Sequence, residues 1–118
     1  MPYIGMITTE EDLTPVKVPA DAERYRKDIE RRLSATLLDV VPSVQPFRYC
    51  LLTDDESQAK RKPYNRIATY LYAKNNQHDL YGDVAVVRVD PIRHDWEPFS
   101  TMEECSAALL ELMQFILS

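Results

Sequence analysis

The sequence predicts an α+β fold built as a two-layer sandwich, and three observations carry that prediction. Short β-prone runs come in two hairpin-like pairs. Three stretches with helical apolar spacing interleave with them. The run Val84-Ala85-Val86-Val87 is apolar at every position, as befits a central strand covered above and below. The order is ββαββαβα, which gives about five strands in a mixed or antiparallel sheet with helices mostly on one face. At 118 residues the chain forms a single compact domain, residues 1–118, large enough to bury its own core.

The elements follow in order. Tyr3 to Thr8 and Leu13 to Val18 are β-prone, and Glu10-Glu11-Asp12 between them is the turn of a hairpin. Pro15 cannot donate to a ladder, so its strand belongs at a sheet edge. Asp21 is an N-cap for a helix whose inner stripe is Ala22, Tyr25, Ile29 and Leu33. Leu37 to Val44 reads as a strand. Phe47 to Thr53 is another, with Phe47, Tyr49 and Leu51 on one face and Arg48, Cys50 and Leu52 on the other. Asp54 to Ser57 is a turn, and Gln58 to Lys62 a polar, basic linker.

Asn65 then caps a helix with the buried stripe Tyr64, Ile67, Ala68 and Leu71, and Asn75-Asn76 suit its exit. Gly82 supplies backbone freedom ahead of the apolar strand. Pro91 to Pro98 is a loop. The last helix starts at Ser100 or Thr101, each opening a capping box, with an inner stripe of Met102, Cys105, Leu109, Leu112, Met113 and Ile116.

The formal charge of -5 argues against a general nucleic-acid binder. No segment has the length of a membrane span, and no basic-then-apolar signal pattern begins the chain. Cys50 and Cys105 lack C-x-x-C spacing and read as reduced, buried thiols. A cytoplasmic or other intracellular setting is expected.

Three local patterns resemble a family known as domain of unknown function 3846. They are the Asp54-Asp55-Glu56 turn after an aliphatic strand, N-x-x-A-T (Asn65, Ala68, Thr69), and the Gly-Asp-Val-x-Val-Val strand from Gly82 to Val87. The resemblance covers Phe47 to Val89. The chain departs from the family in lacking a proline between Asn65 and Arg66 and in adding a C-terminal helix. The resemblance implies a fold and a phage, plasmid or large DNA virus context, with no activity and no catalytic residues.

Among candidate sites, Asp54, Asp55 and Glu56 have the oxygen ligands a hard cation wants but none of the EF-hand spacing, so a turn explains them better. His78 and His94 have no partner at metal spacing, and His94-Asp95 beside Trp96 lacks a neighbouring nucleophile motif. No G-x-S-x-G, P-loop or H-E-x-x-H occurs, so no catalysis, cofactor or metal is expected. Lys60, Lys62, Tyr64, Asn65 and Arg66, with Arg61 among them in the sequence, form a basic edge at a helix start that would suit a phosphorylated or nucleotide-like ligand. The last helix is apolar beyond its inner stripe, at Leu110, Met113, Phe115 and Leu117. With Tyr70 and Tyr72 available for contact, that helix favours a protein partner or a homo-oligomer. The leading expectation is a small, soluble, non-catalytic interaction or assembly domain. The alternative is a binder of a phosphorylated small molecule.

Overall fold

A computed structural model describes residues 1–45, 48–73 and 79–118. Nine elements follow in the order β1 (Tyr3–Ile7), β2 (Leu13–Lys17), α1 (Ala22–Arg32), β3 (Leu38–Pro42), β4 (Tyr49–Asp54), α2 (Arg66–Ala73), β5 (Val84–Val89), β6 (Trp96–Glu97) and α3 (Met102–Leu117). All the strands join one antiparallel sheet in the order β2-β1-β5-β4-β3, and β6 pairs with the end of β5. The predicted α+β architecture is therefore the observed one, and its sheet is antiparallel. The sixth strand, two residues long, lies within the predicted 91–98 loop. The expected exit at Asn75-Asn76 and the side chain of Phe47 lie outside the described residues.

β5 is central and buried on both faces, because its successive side chains feed two different clusters. Val84 and Val86 join Ile7, Tyr49, Leu51 and the helices α2 and α3. Ala85 and Val87 point the other way, to Ile4, Leu52 and the α1 residues Ile29 and Leu33. Two helices thus share one face, and α1 lies across part of the reverse face.

Local chemistry sets the helix starts. Asp21 accepts the Arg24 N–H at 3.1 Å, and Thr101 accepts the Glu104 N–H at 3.1 Å. α3 packs so tightly on β1 that a Cβ on Gly5 would fall 2.6 Å from Leu109 Cδ2. Any side chain at this position would require Leu109 to shift. Gly82 has φ +77, the left-handed conformation its position before β5 demands.

Asn65 joins the layers. Its backbone N–H bonds the Leu80 carbonyl at 2.9 Å. Its side-chain oxygen caps α2 through the Ala68 N–H at 3.0 Å, and its Nδ2 donates to the carbonyls of Ile7 and Gly82, each at 2.9 Å. One fully buried side chain therefore ties a helix start, the end of β1 and the approach to β5. One turn along α2, the Thr69 hydroxyl accepts the Leu80 N–H at 2.7 Å.

The two sheet edges differ in what they offer. In an antiparallel ladder, alternate residues turn their backbone groups toward the partner strand or away from it. The Asp55 N–H bonds the Leu37 carbonyl, so along the register Leu38↔Asp54, Val40↔Leu52, Pro42↔Cys50 it is Leu38, Val40 and Pro42 that face outward. On β2, bonds from Thr8 N–H to Asp12 and from Val18 N–H to Pro2 make Leu13, Pro15 and Lys17 the outward set. Both prolines sit where a missing N–H costs no ladder bond, and Pro15 marks an edge strand as expected. Pro15 interrupts the middle of its row. Pro42 only ends its row, leaving Leu38 and Val40 with adjacent outward donor–acceptor pairs.

Replacing Asn65 should expose how much depends on it. Asn65→Ala removes the cap and takes a donor from each of two backbone carbonyls, those of Ile7 and Gly82, a loss of roughly 3 kcal/mol. Asn65→Asp keeps the cap acceptor but sets a carboxylate against those carbonyls, so its folded pKa rises. At neutral pH it should be the less stable variant, and it should regain stability as acid protonates the carboxyl. Urea unfolding of both variants at pH 7 and pH 4.5 checks the order.

Candidate interaction surface

The five residues of the basic edge share one segment but do not converge. Lys60 and Lys62 turn back on the fold, placing their Nζ atoms 2.9 and 2.8 Å from Asp54 Oδ2. The Asp54 side chain is 1% exposed. Lys60 also donates to the Ser34 carbonyl at 2.9 Å and Lys62 to that of Leu33. These carbonyls belong to the C-terminal end of α1, where cations are favoured by the helix dipole. Arg66 points elsewhere, to Glu11 at 2.7 Å. Asn65 is buried, and Tyr64 lies half exposed with its ring edge-on to Tyr81, centroids 5.9 Å apart. Lys60, Lys62 and Arg66 each already have a carboxylate partner, whereas Arg61 is exposed and pairs with no carboxylate among the described residues.

Burial alone would push the Asp54 carboxyl up, but the Lys62, Glu56 and Lys60 hydrogen bonds outweigh it and hold it below the usual carboxylate range. Asp54 thus serves as a buried anchor rather than a cation ligand, and no metal-binding cluster occurs among the described residues. The same holds for the other patterned residues. Asn65, Ala68 and Thr69 staple α2 in place, and Asp83 accepts the Thr9 N–H at 3.1 Å.

On the reverse face, α1 leaves uncovered a groove of about 450 Å³ lined by Val40, Pro42, Cys50, Val89, His94, Asp95 and Trp96. Folding thus brings a thiol to the His94-Asp95 pair that the sequence leaves without a nucleophile. It is not an activated one. Burial, aided by the Asp95 charge, pushes the Cys50 thiol up to about 11, where no thiolate forms at neutral pH. Near α3, Arg48 and Arg88 pair with Glu111 and Glu104, and the Tyr49 hydroxyl donates to Glu111 at 2.6 Å. Burial and that hydrogen bond push the Tyr49 hydroxyl up to about 12. The thiol and the phenol of these clusters are thus both held protonated at neutral pH.

α3 presents a different surface. Its buried side is Cys105, Ala108, Leu109 and Leu112. Met102 and Met113, assigned to the inner stripe by spacing, are instead 49% and 39% exposed, and Leu110 and Leu117 are 55% and 78% exposed. Met102, Ser106, Leu110, Met113 and Leu117 follow one another at steps of four, four, three and four residues, which traces a second stripe along the helix. Phe115 lies on the opposite flank, half buried against the core, with its ring 6.1 Å from that of Tyr70. Of the expected contact residues, then, Leu110, Met113 and Leu117 lie together and Phe115 faces α2. Tyr70 is exposed, while Tyr72 packs against the core.

The outward row of β3 and the groove beside it escaped sequence reasoning. The available signal was Pro42 closing a strand with the alternation Asp39, Val40, Val41. No described helix is long and apolar enough to cross a membrane. In comparisons with protein-family models, curated proteins and solved structures, the chain matches none of them.

Two outcomes follow for the buried groups. The Asp54 pKa lies lower folded than unfolded, so its stabilisation is present above the ordinary carboxylate value and disappears as pH falls through the folded one. Asp54→Asn should unfold more easily at pH 7 and lose less stability than the parent between pH 5 and pH 2, measured by thermal melts. Native protein at pH 8 should resist iodoacetamide at both cysteines, with thiols pushed to about 11 and about 12, and should react fully once unfolded.

Proposed function

We propose that this protein is a small, non-catalytic assembly domain that self-associates through α3. The observation that supports this reading is the second apolar stripe, which α3 keeps on its surface after the first has filled the core. Isolated apolar residues are ordinary on protein surfaces, but a continuous helical stripe is the shape a second helix packs against.

Charge placement supports a second copy as the partner. α3 has no basic residue, and Glu104 and Glu111 are held on its far side by Arg88 and Arg48. From Ser106 to Ser118 the stripe and its margins are uncharged apart from those engaged groups. Among the described residues Glu103 is the one unpaired charge beside the stripe, at its N-terminal end, so two copies that cross over the C-terminal half meet without like-charge repulsion. The resemblance to domain of unknown function 3846 adds a viral or mobile-element context, which rests on that resemblance alone.

A helix of sixteen residues is roughly 24 Å long, so two crossing copies bury on the order of 1,000 Å², at the weak end of specific interfaces. Association is therefore expected in the micromolar range or above. Sedimentation equilibrium up to about 1 mM should show the mean mass climbing from monomer toward dimer. The Leu110→Glu, Leu117→Glu double variant should remain monomeric with an unchanged circular-dichroism spectrum and melting temperature. A parent chain that stays monomeric throughout that range would sink the proposal.

A further inference from the structure

The β3 edge lies at the far end of the sheet order from β2, and α3 packs on β1 and β2. Its outward row begins with Leu38 and Val40, and no described backbone group bonds either from outside the sheet. The two faces flanking this edge differ in chemistry. On the face of Val40, which is 49% exposed, the edge opens into a mainly apolar groove lined by Pro42, Cys50, Val89 and Trp96, with His94 and Asp95 its polar members. On the face of Val41 it opens into a groove of about 300 Å³ lined by Asp39, Asp55 and Asp79. These three carboxylates are exposed, and no cation among the described residues pairs with them.

We propose that β3 captures an extended peptide segment in which basic and apolar residues alternate, added antiparallel as a further strand of the sheet. Successive side chains of a strand project to opposite faces. An added strand would therefore place every second residue over the apolar groove and the others over the carboxylates. Main-chain bonds to Leu38 and Val40 give such a strand its hold, and the grooves read its side chains. Residues directly opposite in an antiparallel pair share a face. The peptide residue that exchanges bonds with Val40 is consequently an apolar one. The apolar positions carry the hydrogen bonds and the basic positions carry the charge match.

Trp96, the only tryptophan, lines the groove and reports occupancy by its fluorescence. The probe is a capped synthetic peptide of alternating lysine and valine. Its controls are a peptide with the same residues in two blocks, and two alternating peptides N-methylated on the valine or on the lysine amides. The alternating peptide should shift Trp96 emission saturably. Methylation of the valine amides should weaken binding at least tenfold, whereas methylation of the lysine amides should change it less than threefold. Val40→Pro removes an outward N–H without touching the β4 ladder, and should match the valine-methylated result. The absence of a saturable shift, equal binding of the block peptide, or indifference to valine methylation would each overturn the proposal. The peptide variants need no altered protein, so a misfolded Val40→Pro would not rescue it. The Leu110→Glu, Leu117→Glu variant should bind the peptide as the parent does, so this inference and the α3 interface can fail separately.

Discussion

A single buried amide governs how the two halves of this chain meet. The elements before α2 contribute β1, and those after it contribute β5, the central strand that pairs with β1, β4 and β6. Asn65 is bonded to both. Its Nδ2 reaches the Ile7 carbonyl at the end of β1 and the Gly82 carbonyl just before β5, while its oxygen starts α2. A serine or aspartate could cap a helix as well. Neither could donate two bonds sideways at the same time. The position therefore requires both ends of an amide, and Ala68 and Thr69 follow because the next turn must lie flat on Leu80. What looks like a functional motif is the local specification of a junction.

The cations tell the same story. Lys60 and Lys62 seem available in a polar linker, yet each bridges Asp54 and the last carbonyls of α1. Those carbonyls have no partners within the helix and sit at the negative end of its dipole. Two ammonium groups satisfy them, and one buried carboxylate balances the ammonium charge, so Lys60 and Lys62 are spent within the fold. A phosphate arriving there would have to displace Asp54 from contacts that burial strengthens. Two surface features lie apart from this junction, the apolar stripe of α3 and the carboxylates beside β3.

The parts of this arrangement that were legible in the sequence are the local ones. Asp21, Asn65 and Thr101 cap helices through neighbours three residues away, and strand alternation placed Tyr49 and Leu51 opposite Cys50 and Leu52. Gly82 before an apolar run announced its positive φ. The illegible parts depend on distant residues. Lys62 finds the Leu33 carbonyl 29 positions away, which no linear pattern encodes. Met102 and Met113 were assigned inward because α3 is apolar around most of its circumference, so periodicity alone could not choose a face. In the folded chain Leu109 seats against Gly5, where a missing side chain leaves room for it, and Met102 and Met113 face outward. β6 is too short to carry a pattern and exists because the end of β5 offers it a ladder.

The two surfaces left over lie on different parts of the sheet, and this has a consequence for assembly. α3 lies over β1 and β2, and the open edge is at β3, three strands beyond β1. A dimer closed through α3 would leave both β3 edges uncovered, so pairing would not compete with strand capture. It would double it. A short strand held by a few main-chain bonds binds weakly, because ordering an extended segment opposes the bonds it gains. Two such sites held in one dimer turn the second capture by a repetitive or paired partner into an intramolecular step, and avidity can then exceed either affinity by about 10²-fold or more. The proposed self-association and the proposed strand capture are thus compatible. Each would supply what the other lacks.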